Sequence, residues 1–205
     1  VLVVEALDSA FAARFWAFVE EGDYEIRESS EGAKVLYRFQ KPKAESYPAM
    51  LELFSRAPEG LTLGGDAHLT PLPIDEAAAS LSAILLDENY YEFLKSMVRE
   101  AGGIPVLDEA AIIPFKARAW LDLTRQREEG LQVDEKNIRK HRNDVARLLQ
   151  LLSQEVRYSL PPSVAEDMLA FVENAAIEAD FDPRQFRVNM TREDVAARLR
   201  AAYQL

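Results

Sequence analysis

Cysteine is absent from the 205 residues, which removes disulfide frameworks, thiolate metal sites and cysteine nucleophiles together and makes a stapled secreted domain a poor fit. Histidine occurs only at His68 and His141, and no local spacing brings those two together as metal ligands. Apolar runs such as residues 81–86 are far shorter than the ~20 residues that span a bilayer, and no charged-then-apolar leader opens the chain. The expected setting is therefore a reducing cytoplasm, with no membrane. Also missing are a Walker-type phosphate loop, a Rossmann glycine pattern, a His-Glu-x-x-His zinc motif and a nucleophile elbow, so most familiar enzyme classes lose support.

Positive charge is scarce too. Twenty-four Lys and Arg face 35 Asp and Glu, and the net charge of −11 argues against a protein that coats nucleic acid through bulk electrostatics. The deficit is uneven. Residues 114–147 carry nine basic and six acidic residues, a local charge of +3 against −14 for the remainder. Two readings fit: exposed helices with solvated faces, or a phosphate-binding surface on an otherwise repelling protein. The composition, 48% hydrophobic and 29% charged, is that of a folded globular chain of one large domain or a compact domain with a helical annex.

Along the chain, Val1–Val4 reads as a buried strand without lead-in, which suggests a missing start. Asp8 can cap a helix whose Phe11, Phe15, Trp16, Phe18 and Val19 recur at helical spacing, and Gly22 stops it. Residues 35–39 and 50–54 read as strands that pair as a long-looped hairpin, and a third strand is expected over His68–Leu72. Residues 58–75 are rich in Gly and Pro and read as turn and edge structure. From Glu76 the signal is helical, first through the Ala- and Leu-rich stretch ending at Leu86, then around Tyr90, Tyr91, Phe93 and Leu94. Pro114 suits the first turn of a helix ending near Gly130, and Asp134 starts another that reaches about Ser153. Ser163–Glu166 and Thr191–Asp194 read as capping boxes of two further helices. The expected class is α+β, with a small mixed sheet and packed helices over 1–75 and a helical region over 76–205.

Three residue types stand out chemically. Glu52 interrupts the apolar strand Met50–Phe54, either as the solvent-face member of an alternating strand or as a buried carboxylate that needs a partner. Lys116 lies between Phe115 and Ala117, as a surface lysine with a buried stem or a directed cation. Lys140 and Asp144 share a helix face at four-residue spacing, which suits a surface ion pair.

The run Ala111-Ile112-Ile113-Pro114-Phe115-Lys116-Ala117-Arg118-Ala119-Trp120, followed by Lys140-His141-Arg142-Asn143-Asp144-Val145, resembles the helical part of AbiEii-type nucleotidyltransferases, within the polymerase-beta-like nucleotidyltransferase superfamily and its toxin-antitoxin members. Residues 80–87 and Tyr90-Tyr91 resemble nucleotidyltransferase-like bacterial proteins, so the likeness covers about residues 1–153. It implies Glu52 as the third carboxylate and a Mg²⁺ ligand, Lys116 as a phosphate contact and Asp144 as an active-site acid, with Lys116, Lys140 and Arg142 binding the nucleotide. Its further implications are a nucleotide triphosphate as donor, an RNA or protein acceptor, and an antitoxin protein as partner. The family's Gly-Ser and paired Asp-x-Asp motifs do not precede the first strand, so this chain alone is expected to be inactive. The alternative is a non-catalytic interaction protein derived from the same fold.

Overall fold

The computed structural model describes residues 2–5, 9–28, 34–56, 69–71 and 82–205. The chain divides into two compact units, Val1–Tyr91 and Glu92–Leu205.

The first unit is a mixed sheet with a helix on it. Strands β1 (Leu2–Val4), β2 (Glu25–Glu28), β3 (Lys34–Gln40), β4 (Met50–Arg56), β5 (Leu69–Pro71) and β6 (Ser82–Leu86) form one sheet, and α1 (Ser9–Glu21) carries its core face. β4 organises the sheet. It pairs antiparallel with β3 over Met50–Glu52, parallel with β1 over Leu53–Ser55 and parallel with β6 over Phe54–Arg56. The expected β3–β4 hairpin is therefore present. Alternation along β4 sends Leu53 inward with Phe39, where Phe15 and Trp16 of α1 pack edge-on against the Phe39 ring, at centroid distances of 5.1 and 5.5 Å. Gly22 follows the end of α1, and only glycine fits there, because a Cβ would meet the Tyr24 and Tyr47 rings at 2.6 to 2.8 Å. Asp8, His68 and Leu72 lie outside the described residues.

Residues 82–86 correct the expectation of helix from Glu76 onward. A short continuous apolar run has no period that separates a buried helix turn from a buried strand, and here β4 offers a parallel hydrogen-bonding edge. Asp87 then starts α2 (Glu88–Ser96) by accepting from the Tyr90 N–H at 3.0 Å.

The second unit opens with a second correction, the hairpin β7 (Val98–Ala101) and β8 (Ile104–Leu107), joined by Gly102-Gly103 with φ of 61° and 81°. Two successive positive φ angles are what a tight two-residue hairpin turn requires and what glycine supplies without strain. Four helices follow: α3 (Glu109–Glu128), α4 (Glu135–Leu149), α5 (Pro162–Ala175) and α6 (Arg192–Tyr203), with a short 3₁₀ turn at Pro183–Phe186. α3 and α4 form the expected helical hairpin, with Asp134 capping α4 and Gly130 at φ 82° just past α3. Thr191 and Asp194 form the expected capping box of α6. The start of α5 differs: Pro161 occupies the cap, where it can make no side-chain cap bond, and Pro162 the first turn. The core joins Ile113, Ala117 and Trp120 of α3 to Ile138, Val145 and Leu149 of α4, Met168 and Phe171 of α5, and Val195, Leu199 and Tyr203 of α6.

Pro114 does not begin α3. Asp108 caps the helix by accepting from the Ala110 N–H, and Pro114 falls inside it. Proline has no N–H for the carbonyl four residues back, and its ring crowds that carbonyl. The Ala110 carbonyl is thus orphaned in a fully buried residue, and the Tyr203 hydroxyl of α6 donates to it at 2.8 Å. Burial drives the Tyr203 phenol pKa far above its ordinary value of 10.0. The neutral phenol is the folded form, so stability is fully present below pH 10 and falls as pH rises above it, where only the unfolded chain releases the proton. Replacing Tyr203 with Phe should cost about 1–3 kcal/mol in chemical denaturation at pH 7 and should flatten the loss of stability above pH ~10. An unchanged midpoint would show that the bond contributes nothing.

Candidate functional site

α3 and α4 run antiparallel, and their facing residues place the Lys116 ammonium against Asp144. Lys116 Nζ lies 3.3 Å from Asp144 Oδ2, both side chains being half-buried at 28% and 21% exposure. The sequence put Lys140 beside Asp144, but the carboxylate's partners are Lys116 and, at 3.1 Å from Oδ1, Arg147. Asp144 thus holds one cation on each oxygen. Arg147 in turn lies over the Phe186 ring, 5.0 Å from its centroid.

Arg142 takes a different place from the one expected of a nucleotide-binding cation. It is 2% exposed in the interior of the second unit, paired with Glu178 and Asp180 and stacked 4.9 Å over the Phe181 ring. Two carboxylates on Nη1 and an aromatic face offset much of the cost of burying this guanidinium, although its buried Nε has no hydrogen-bond partner among the described residues. The Arg142 hydrogen bond holds the Asp180 carboxyl below its usual range. A phosphate would have to displace both acids to reach it.

Much of the basic segment is neutralised in this way. Arg118 bridges Asp122 at 3.1 Å and Asp167 of α5 at 2.6 Å, and Arg127 lies 3.6 Å from Glu135. Among the described residues, the basic side chains of α4 that form no ion pair are Lys136, Arg139 and Lys140, all exposed. A groove of about 670 Å³ runs between α3 and α5, lined by Arg118, Arg125 and Arg127 but also by Asp122, Glu128, Asp167 and Glu178. Acids outnumber bases there, so it offers no clear field for an anion.

Glu52 belongs to the other unit. It stands opposite Arg38 in the β3–β4 register and forms an ion pair with it, the two side chains 14% and 27% exposed, on the sheet face opposite buried Leu53. This is a satisfied cross-strand pair. No group of three His, Asp or Glu among the described residues could hold a metal ion, so Mg²⁺ at Glu52 would need carboxylates beyond those placed beside it. No described helix is long and apolar enough to cross a membrane.

Comparison of the chain with protein-family models, curated proteins and solved structures finds no match.

The sequence missed Arg147, Glu178, Asp180 and Phe186. Arg147 was in reach, because it lies three residues after Asp144 on a helix. Glu178 and Asp180 had no signal, since they follow the end of α5 and meet Arg142 only through the tertiary fold. Arg142→Ala should cost about 2–3 kcal/mol, because it leaves two acids facing an emptied pocket. Urea denaturation of the variant beside wild type reads this directly, and a loss under about 0.5 kcal/mol would mean that Arg142 behaves as a surface residue.

Proposed function

We propose that this chain is a nucleotidyltransferase-like protein which, in full-length form, takes a nucleotide triphosphate through Lys116 and transfers the nucleotide to an RNA or protein hydroxyl, breaking the α–β phosphoanhydride bond and releasing pyrophosphate. The observation that carries the reading is the half-buried Lys116–Asp144 pair across the α3–α4 hairpin. A lysine held by a single shared carboxylate keeps a compact charge near the surface, where a polyphosphate can compete for it. Lys140, exposed four residues before Asp144, is the second cation available on that helix. Arg142 is not part of the proposal. Glu52, in the first unit, could take Mg²⁺ only by releasing Arg38. An antitoxin-like protein would be the partner in a toxin-antitoxin setting.

A second reading is a non-catalytic interaction protein built on the same fold. The Glu52–Arg38 pair favours it, since a carboxylate already satisfied by a guanidinium has no demand for a metal.

Titration of a fluorescent nucleotide triphosphate with Mg²⁺ into wild type and Lys116→Ala separates the two. The transferase reading predicts binding that weakens as salt rises and falls roughly tenfold in the variant, with the melting temperature little changed. Equal curves, or no binding by either protein, would contradict it.

A further inference from the structure

The two oxygens of Asp144 serve different neighbours, and the one that faces away from Lys116 leads to the connection between α5 and α6. Arg147 Nη1 donates to Asp144 Oδ1 at 3.1 Å. The guanidinium of Arg147 lies over Phe186, and the Phe186 ring is stacked at 25° on Phe181, whose own face carries Arg142. Arg142 and Arg147 thus rest on two adjoining rings supplied by one short turn.

That turn is locally well determined. Asp182 caps it, accepting from the Arg184 N–H at 3.2 Å and from the Gln185 side-chain amide at 3.3 Å. Arg187 closes it at φ 68°, and the Val188 N–H returns to the Pro183 carbonyl at 3.1 Å. Pro183 fixes φ in its first position. The turn's own hydrogen bonds therefore define the backbone that presents Phe186 to Arg147.

We infer that Arg147 and Phe186 are positioning residues for Lys116: the ring holds the guanidinium, the guanidinium holds one oxygen of Asp144, and the carboxylate rotamer so fixed presents its other oxygen to the lysine. The physical reason is the difference between one anchor and two. A carboxylate with a single ionic partner rotates with it, and both side chains retain rotamer entropy. With a second, planar partner that is itself stacked on a ring, the carboxylate has one favourable orientation. The consequence for function, which rests on the nucleotidyltransferase reading, is that the 181–187 turn sets how readily Lys116 is released to a phosphate. A partner protein or ligand that moved Phe186 would then change the site without touching it.

The relay is testable without nucleotide. The chain has seven lysines, so reductive methylation with ¹³C-formaldehyde, which keeps their charge, gives a small set of methyl resonances. Lys116→Arg identifies the one that belongs to Lys116. In wild type that resonance should lie outside the group of exposed lysines, and Asp144→Asn should return it to that group. Arg147→Ala and Phe186→Leu should move it at least halfway along the same path, whereas Phe186→Tyr, which keeps the ring face, should leave it in place. Arg147 is half-exposed, so its removal leaves the core intact and keeps the test valid even if a Phe186 variant folds poorly. A Lys116 resonance unmoved in Arg147→Ala, with Asp144→Asn moving it fully, overturns the relay and reduces Phe186 to packing. Nucleotide titration of Phe186→Leu and Phe186→Tyr is the second arm, expected to show a severalfold loss only in the first. A shifted resonance in a protein that binds no nucleotide upholds the relay and removes the transferase reading. Nucleotide binding with an unmoved resonance does the reverse.

Discussion

A proline inside α3 leaves one buried carbonyl without its helical donor, and the closing of the second unit follows from where that carbonyl finds another. Ala110 and Ile113 lie in the interior, so the Ala110 oxygen cannot turn to water. The Tyr203 hydroxyl, ninety-three residues away in sequence, supplies the donor. α6 must then lie against the start of α3 with its last turn in register. That placement brings the Tyr158 N–H onto the Ala202 carbonyl at 2.8 Å, and seats Val195 and Leu199 in the shared core. Hydrophobic packing alone is non-directional and would tolerate several rotations of α6. A single satisfied polar pair selects one.

With α6 fixed, the connection that leads into it is also fixed, and α4 meets that connection through two arginines five residues apart. Arg142 is drawn inside by Glu178, Asp180 and Phe181, while Arg147 stays at the edge on Phe186 and Asp144. The same residue type thus serves two ends: an interior tie between α4 and the α5–α6 connection, and an edge contact that bears on Lys116. The local excess of positive charge in residues 114–147 is in large part the counterpart of acids that the fold brings to it, from Asp167 to Asp180. The cations of α4 that form no ion pair among the described residues make a short exposed stripe, Lys136, Arg139 and Lys140.

The mixed sheet, the α3–α4 hairpin and the caps at Asp134 and Thr191 were legible in the sequence because each has a local cause: alternation, helical period, or a side chain that bonds its own backbone. The strand at 82–86 was not, since its apolar run carries no period and its partner β4 is distant. The β7–β8 hairpin was hidden by its brevity, although Gly102-Gly103 between Val98–Ala101 and Ile104–Leu107 is the signal that would have marked it. Pro114 misled because proline in a first turn is the commoner case, and only the Tyr203 partner makes it tolerable further in. For the candidate site, Lys116 and Asp144 stood out in sequence, but the charge that faces each did not: a lysine on one helix and an acid on the next meet only once the hairpin register is set. The partners of Arg142 were hidden for the same reason, because its acids lie beyond the end of α5.

The account's central claim is that Pro114 and Tyr203 are coupled through the Ala110 carbonyl. A double-mutant cycle of Pro114→Ala and Tyr203→Phe, read as unfolding free energies in urea, tests it most directly. Alanine at position 114 restores an N–H to Ala110, so loss of the tyrosine hydroxyl should then cost about 1 kcal/mol less than it does beside proline. Additive effects, with Tyr203→Phe equally costly in both backgrounds, would contradict the claim and leave the contact incidental to the fold.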